Sequence, residues 1–349
     1  MPRVRVDNPA GVLAVIPHLL GFHPRESMVV LGLAPPRAHV KLGFRYDLPD
    51  PPDQAAAEDI AAHAMAILAR QRITMAILIG YGPGQLVTPV ADAIRAAAGR
   101  ARLTLREVLR VEDGRYWSYL CRDPACCPAE GVAYDPVAHP AAAALTTAGL
   151  AAYPDRAALA RTLAPLKGAA AESMAAATER ALARVATLIA RHRRSGQSGD
   201  MLRLVVEDGR RAVGEAITAY RGGGRIADDD QIAWLSVVLA DLRVRDDAWA
   251  RMDPEHQEAH RRLWADVVRA ARPAYVPAPA SLLAFTAWQA GDGSYANIAI
   301  ERALDADPAY SMALLLADLL DAGAPPSAAR LPMTPAEVAE SYARAEAGN

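Results

Sequence analysis

The sequence predicts an α+β or α/β fold: an N-terminal mixed five-stranded sheet with flanking helices, followed by an all-helical C-terminal half. Three observations support this prediction. Short apolar runs typical of strands lie before residue 140, segments with helical periodicity separate some of these runs, and no convincing strand pattern follows Pro140. The chain has 349 residues, which corresponds to about two domains at the usual size of roughly 100–200 residues each.

The chain begins with a helix and a hairpin. Asn8 is a suitable N-cap, and Gly21 can close the helix in left-handed geometry. The apolar run Ser27–Leu33 and the alternating segment His39–Tyr46 predict two strands. The Pro-Pro pair between them favours a turn, so we expect these strands to form an antiparallel hairpin.

The next elements alternate before the chain makes a second hairpin. We predict a helix over Asp53–Arg70, a strand over Ile73–Ile79, a helix over Gln85–Ala98, and strands over Leu103–Glu112 and Arg115–Leu120. Asp113-Gly114 is a strong hairpin signal between the last two strands. The two β-α-β steps predict parallel neighbouring strands with right-handed crossovers, and the two hairpins make the sheet mixed.

Only helical patterns follow residue 140. The predicted helices are Arg156–Leu166, Glu172–His192, Met201–Tyr220, Asp230–Arg243 and Pro254–Ala271, with glycine-containing joints at residues 195–199 and 222–224. Residues 281–323 resemble a tetratricopeptide-like helical hairpin followed by another helix. We therefore expect an α/β domain over residues 1–139, an all-helical domain over 140–332 and a loosely ordered tail over 333–349.

Composition limits the class of partner and the compartment. The net charge of -2 gives no overall bias toward nucleic acid or anionic membranes. No uninterrupted apolar run approaches the roughly 18–20 residues of a membrane span, so we expect no membrane partner. The three cysteines are clustered between Cys121 and Cys127, which is not a secreted disulfide framework. We therefore predict a cytoplasmic protein.

Three segments, taken together, resemble a known family. They are LGFHPRESMVVLGL at Leu20–Leu33, YWSYLCRDPACCPAEG at Tyr116–Gly131, and LLAFTAWQAGDGSYANIAIERALDADPAYSMALLLADLL at Leu282–Leu320. In this order, and spread over most of the chain, they are similar to the actinobacterial family catalogued as domain of unknown function 4192. The resemblance implies a cytoplasmic bacterial protein and implies no particular activity.

The cysteine cluster is the most unusual chemical feature. Cys121 ends a predicted strand, and Cys126 and Cys127 follow in the next loop. Thiolates this close in sequence can bind zinc or an iron–sulfur cluster, or exchange a disulfide. A four-ligand metal site lacks one donor here, which His139 or His23 would have to supply. The alternative is that the three cysteines simply pack the loop as small apolar residues.

A glycine-rich loop lies between a buried strand and a helix. Gly80, Gly82 and Gly84 alternate with Tyr81 and Pro83 at a position where backbone N–H groups and the helix dipole can hold a phosphate. The spacing matches neither the dinucleotide-binding fingerprint nor a P-loop. A tight turn explains the same residues, so nucleotide binding is one of two interpretations.

Other candidate ligand contacts lie at the ends of the predicted strands. His23 precedes the first strand, and Arg45 and Asp47 lie at the end of the second. Ligands in open α/β sheets favour the carboxyl ends of parallel strands, so Asp47 and Gly80 could line one crevice. We include Trp117, on the last strand, as a further candidate. Ordinary turn formation is the alternative interpretation.

The helical half carries two further patterns. His256 and His260 are four residues apart on a predicted helix, without the glutamate spacing of a zinc protease. We interpret them as surface histidines. Four tryptophans are spread along the helices, which favours a role as core anchors over a stacking platform: Trp234, Trp249, Trp264 and Trp288.

No complete catalytic motif occurs in the sequence, and whether the protein is an enzyme stays open. We therefore predict a non-catalytic binding or protein-interaction module, whose partner is another protein or a small ligand. The first alternative is a redox or metal-dependent enzyme or sensor that uses the cysteines, with zinc as the candidate cofactor. The second is a nucleotide-binding enzyme that uses the glycine loop.

Overall fold

A computed structural model describes residues 5–35, 38–195, 200–328 and 333–347. Its chain divides into two compact units, residues 1–159 and residues 160–349. The first contains a mixed sheet and its flanking helices, and the second is helical, as the sequence predicts. The joint predicted at residues 195–199 falls largely outside the described residues. No helix formed by the described residues combines the length and apolar character needed to cross a bilayer.

The first unit begins with helix α1 and continues with strands and helices in alternation. Its elements are α1 (Pro9–Leu20), β1 (Ser27–Ala34), β2 (His39–Asp47), α2 (Gln54–Arg70), β3 (Met75–Tyr81), α3 (Gly84–Arg100), β4 (Thr104–Glu112), β5 (Arg115–Ser118), β6 (Val132–Ala133) and α4 (Pro140–Thr147). The predicted helix ends are confirmed for α1: the Asn8 side chain accepts from the N–H of Gly11, and Gly21 has a φ of 77°. Helix α4 packs on α1, so the predicted domain boundary after residue 139 falls inside this unit.

The sheet has six strands in the order β2-β1-β3-β4-β5-β6, whereas the sequence predicted five. The missed strand, β6, has only two residues, Val132 and Ala133, which pair with Tyr116 and Arg115 of β5. A strand of two residues is too short to show period-two alternation. The chain forms it on returning from the cysteine segment, so the sheet extends across both ends of that segment.

The prediction of two parallel neighbouring pairs is wrong for one pair. Strands β3 and β4 are parallel neighbours, but β1 lies between β2 and β3 and is antiparallel to both. The pairing of Ser27 with both Asp47 and Tyr81 shows this arrangement. The β2-α2-β3 step therefore crosses over β1. As a result, the start of β1 lies beside the carboxyl ends of β2 and β3.

Helices α2 and α3 share a core with one face of the sheet. The core residues from the strands are Met28, Val30, Ala76, Leu78 and Val108, and those from the helices include Ala57, Ala61, Leu68, Leu86, Val87, Val90 and Ile94. Each fully buried Val or Leu side chain contributes roughly 1.5–3 kcal/mol to stability. This packing fixes the α3 end of the glycine loop relative to the sheet.

The second unit is a set of packed helices. After α5 (Arg156–Arg161), which spans the boundary between the units, the chain forms α6 (Ala169–Arg194), α7 (Arg203–Arg221), α8 (Asp229–Val238), α9 (Leu242–Ala250), α10 (Gln257–Ala270), α11 (Pro277–Gln289), α12 (Gly293–Ala306), α13 (Ser311–Asp321) and α14 (Pro335–Ala347). Residues Pro277 to Trp288 of α11 are all buried, which makes α11 the central helix. It packs against α10, α12 and α13.

Three of the four tryptophans predicted as core anchors are buried, whereas Trp249 is half-buried. Trp234, Trp264 and Trp288 are buried, and the indole N–H of Trp288 donates to the carbonyl of Ala324 at 3.1 Å. The segment that the sequence places in a loosely ordered tail forms α14. Its Tyr342 hydroxyl donates to the Asp246 carboxylate of α9 at 2.6 Å.

His260 lies in the core of this unit, so its interpretation as a surface histidine is wrong. Only 1% of its surface is exposed, whereas His256 is exposed. The ring Nε2 of His260 lies 3.5 Å from the Asp253 carboxylate. Its Nδ1 has no hydrogen-bond partner among the described residues. Burial lowers the pKa of His260, and the nearby Asp253 only partly offsets this effect.

We predict that mild acid destabilises the folded chain through His260. Because its pKa is lowered in the folded state, the unfolded chain binds this proton more readily, so stability falls as the pH drops below about 6.5. Urea unfolding at about pH 7.5 and about pH 5.5 checks this for the wild type and for His260→Asn. The variant should lose less stability between the two pH values. An equal loss in both proteins would contradict the assignment to His260.

Candidate functional site

The three cysteines converge in the loop between β5 and β6. Their Sγ atoms all lie within 4.8 Å of one another, and those of Cys126 and Cys127 are 3.9 Å apart. They are the only group of three or more histidine, cysteine, aspartate or glutamate side chains with metal-ligand spacing among the described residues. We call residues 119–131 the cysteine loop. The sequence shows that these cysteines are close along the chain, and the structure also brings their sulfur atoms together.

Ser118, at the end of β5, organises the start of the cysteine loop. Its Oγ accepts from the backbone N–H groups of Leu120 and Cys121 at 3.1 and 3.0 Å. The same hydroxyl donates to the Glu107 carboxylate of β4 at 2.7 Å. Glu107 also accepts from the N–H of Val108 at 3.0 Å. The position of Cys121 is therefore tied to two neighbouring strands of the sheet.

Asp123 makes the turn that returns the chain to Cys121. Its carbonyl accepts from the N–H groups of Cys126 and Cys127 at 3.1 and 2.7 Å. Its carboxylate accepts from the N–H of Ala125 at 2.9 Å, which is an Asx-turn. These bonds account for the approach of Cys126 and Cys127 to a cysteine several residues earlier.

Trp117 and Gly131 form the other end of the loop. The indole N–H of Trp117 donates to the carbonyl of Ala129 at 3.0 Å. A Cβ atom on Gly131 would lie 2.5 Å from the Trp117 ring, and Gly131 has a φ of 81°. Only glycine adopts this conformation without strain and leaves room for the ring. Trp117, predicted as a ligand contact, is therefore a support for the cysteine loop.

Hydrogen bonds distinguish Cys121 from Cys127. The N–H of Asp123 donates to the Cys121 sulfur and lowers the pKa of that thiol, and the Cys127 and Cys126 thiols act in the same direction. The neighbouring Cys121 thiol, together with partial desolvation, raises the pKa of Cys127 to about 12. The Cys121 thiol therefore ionises at a lower pH than the Cys127 thiol.

The sulfur spacing fits a metal ion. Zinc–sulfur bonds are about 2.3 Å long, so two thiolates on a tetrahedral zinc ion are about 3.8 Å apart. The 3.9 Å between the sulfurs of Cys126 and Cys127 agrees with this spacing. The three cysteines can thus hold one thiophilic cation with small adjustments of side-chain torsion angles. Their number and type fit zinc or Cu(I) better than magnesium or calcium, which prefer oxygen ligands.

The structure does not bring either suggested fourth donor to the cysteines. The ring of His139 caps helix α4, where its Nδ1 accepts from the N–H of Ala141 at 3.2 Å. His23 pairs through its backbone N–H with the carbonyl of Tyr153, and burial is the main cause that lowers the pKa of its ring. Neither histidine belongs to the group of mutually close donors.

The Arg45 side chain binds both Asp47 and Ser27. The Arg45 guanidinium donates to the Ser27 hydroxyl at 2.7 Å and to the two Asp47 carboxylate oxygens at 2.5 and 3.2 Å. Ser27 is fully buried and in turn donates to the carbonyl of Arg25. These polar groups therefore bind one another where β1 begins and β2 ends, and the alternative interpretation as ordinary hydrogen bonds accounts for them.

Packing explains the glycine loop. A Cβ atom on Gly80 would lie 2.2 Å from Cγ1 of Val87, so helix α3 approaches the sheet through this position. Gly82 has a φ of 133°, and a Cβ atom on Gly84 would meet the Arg110 guanidinium at 3.4 Å. Arg110 itself is held by Glu112 at 2.6 Å and stacks on the Trp117 ring at 3.7 Å. Contacts with Val87 and Arg110 thus account for Gly80 and Gly84, while Gly84 and Gln85 also line the end of a groove.

A groove of the first unit lies away from the cysteines. It has a volume of about 900 Å³ and runs between α2 and α3, over a floor that includes Ala61 and Ala97. Its charged lining residues are Glu58, Asp59, Asp92 and Arg100, so negative charge is in excess. That excess disfavours an anionic ligand such as a nucleotide.

Comparison with known proteins gives one positive result. The family model with the description Domain of unknown function (DUF4192) matches residues 9–327. The chain belongs to the DUF4192 family. No curated protein and no solved structure gives a significant match to this DUF4192 chain. The family extends over both units and therefore includes the cysteine loop and the central helix α11.

Sequence reasoning identified the cysteines of this DUF4192 protein but missed the residues that hold them. Ser118, Glu107 and Asp123 form the hydrogen bonds described above, and none of them belongs to a recognised motif. The one available signal was the pattern of an aspartate followed by Pro124, which favours a turn between cysteines. Glu107 lies on a different strand, so its role depends on the register between β4 and β5.

The packing explanation of Gly80 predicts the effect of adding one methyl group. Gly80→Ala should destabilise the first unit by about 1–3 kcal/mol, because the new Cβ overlaps the Val87 side chain. The control is Gly99→Ala on α3, the helix that contains Val87, where no atom lies within 4 Å of the added Cβ. The control should be neutral or slightly stabilising. Hydrogen exchange of the β3 amides measures the change within this unit.

A further substitution distinguishes packing from ligand binding at Gly80. If the overlap with Val87 is the cause, Val87→Ala should restore part of the protection lost in Gly80→Ala. Unchanged exchange in Gly80→Ala, or no recovery in the double variant, would contradict the packing explanation.

Proposed function

We propose that this protein binds a thiophilic metal ion, of which zinc is the first candidate, through Cys121, Cys126 and Cys127. The observation that carries the proposal is the convergence of three sulfur atoms within 4.8 Å. The hydrogen bonds of Ser118 and Asp123 support it, because they fix the backbone on both sides of the cluster. Ordered groups behind the ligands are typical of metal sites. The function is therefore binding, with the metal as the ligand of the first unit.

In this proposal, metal–sulfur bonds replace the hydrogen bonds between the three thiols. Three thiolates repel one another, and a divalent cation offsets that repulsion while linking both ends of the Cys121–Cys127 segment. The loop would then be ordered by the ion as well as by Asp123. We place the protein in the cytoplasm, where thiols stay reduced and available to metals.

A second candidate function, protein binding by the helical unit, is favoured by one observation. Leu314 and Leu315 are adjacent on α13 and are 43% and 50% exposed, respectively. The rest of this helix is anchored through Met312, Ala313 and Leu316. Such an exposed pair provides apolar contact area for a partner with an apolar face. A protein partner at this position stays a prediction.

Zinc binding by cysteine variants tests the proposed function. Cys121→Ser, Cys126→Ser and Cys127→Ser should each lower the affinity for zinc by more than about 100-fold, because each removes one of three ligands. Competition titration with a chromophoric chelator, under anaerobic conditions, measures the affinity. Wild-type affinity in all three variants would contradict the proposal.

A substitution beside the cluster tests the hydrogen bonds that position Cys121 without removing a metal ligand. Ser118→Ala removes the hydroxyl that positions Cys121 and should lower zinc affinity by about 10–100-fold. Ser341→Ala, on α14 in the other unit, is the matched control and should bind zinc like the wild type. Circular dichroism of each variant verifies that the fold is retained. Equal affinity in Ser118→Ala and the wild type would show that the support of Cys121 is irrelevant to the metal.

A further inference from the structure

We infer that the metal in the cysteine loop keeps a fourth coordination position open to solvent, and that a small neutral nitrogen donor binds there. This inference rests on the proposed metal function and specifies which ligand class the site accepts. Structural zinc sites have four protein ligands, whereas sites that react or exchange ligands keep one position for water or substrate. The cysteine loop offers three protein ligands and so matches the second kind of site, which keeps one position open.

The donor count supports an open position. Within the described residues, the close group consists of the three cysteines alone. Residues 1–4, 36–37, 196–199, 329–332 and 348–349 include no cysteine, histidine, aspartate or glutamate, and the side chain of Glu346 also lies outside the described part of the chain. Every cysteine, histidine and aspartate, and every glutamate except Glu346, is therefore among the described side chains, and none of them adds a fourth donor to the close group.

The polar groups tied to the loop are already engaged. The Glu107 carboxylate accepts from Ser118 and from the N–H of Val108, and the Asp123 carboxylate accepts from the N–H of Ala125. His139 caps α4. None of these groups belongs to the set of donors that lie within 4.8 Å of one another, so recruiting one of them would require the loop to move. Water as the fourth ligand needs no such movement.

The exposure of the loop makes the position accessible. Cys126 is exposed, and Cys121 and Cys127 are half-buried. The residues between them, 122–125, are all exposed. A small molecule can therefore approach the ion without displacing core side chains. The cluster therefore lies in a solvent-exposed part of the loop.

Charge selects the class of ligand. A divalent cation with three thiolates carries one net negative charge, so an anionic fourth ligand is repelled and a neutral donor is favoured. Imidazole is a neutral nitrogen donor of the right hardness for zinc and cobalt. The site should therefore prefer imidazole to azide, a small anion of comparable access.

Substitution of cobalt(II) for zinc gives a direct readout of the fourth position. Cobalt(II) in a thiolate site absorbs visible light, and its ligand-field bands change when a ligand is exchanged. We expect imidazole to shift these bands in a saturable manner in the full chain, and azide to require at least about 10-fold higher concentration. Cys127→Ser should show no such saturable shift, which assigns the response to the cysteine loop.

The outcomes separate this inference from the proposed function. If cobalt binds through three sulfurs but its spectrum does not change when imidazole is added, the open position is overturned and the metal site still stands. Four sulfur ligands per metal in X-ray absorption spectra, with two chains sharing one ion, would overturn it as well. Failure of the wild-type chain to bind cobalt or zinc at all would overturn the proposed function itself.

Discussion

The antiparallel pairing of β4 with β5 places Ser118 opposite Leu109 and Trp117 opposite Arg110, and the position of the cysteine loop follows from this register. Because side chains alternate across a strand, the pairing directs Ser118 toward Glu107 on one face, where the hydroxyl and carboxylate are 2.7 Å apart. On the other face it stacks the Arg110 guanidinium on the Trp117 ring. A shift of one residue would exchange these faces and separate the cysteines from their support.

The same strand pair connects the loop to the core of the first unit. Helix α3 approaches the sheet at Gly80, its Thr88 hydroxyl bonds to the Tyr119 hydroxyl at 2.7 Å, and Tyr119 follows β5 directly. The cysteine loop thus starts from a residue that is packed against the core. A rigid start and an exposed middle are the arrangement expected of a loop that binds an ion while remaining accessible.

Much of the fold could be predicted because its signals are local. The Asn8 cap, the glycine at residue 21, the Asp-Gly hairpin turn and the helical periodicities each act within a few residues. The insertion of β1 between β2 and β3 could not be predicted, because it depends on pairing between distant segments. Strand β6 was missed because two residues carry no alternation. His260 shares the apolar face of α10 with Leu263, Trp264, Val267 and Val268, so helical periodicity places it inward, and its interpretation as a surface residue overlooked that signal.

The candidate site was predictable in part for the same reason. The clustering of the cysteines is visible in the sequence, whereas the supporting bonds from Glu107 and Ser118 require the strand register. The glycine loop shows the opposite case. Its residues match a ligand-binding position in an α/β fold, yet Gly80 is explained by contact with Val87. Glycine permits close approach to any neighbour, so the residue type does not distinguish a phosphate from a valine.

The measurement that tests the central claim most directly is the metal content of freshly purified protein kept anaerobic, together with its free-thiol count before and after denaturation. The account predicts one zinc-class ion per chain and thiols that become reactive when a chelator removes it. A metal-free protein that takes up no added zinc and whose three thiols react only after unfolding would contradict the account. The cysteine loop would then be a packing element.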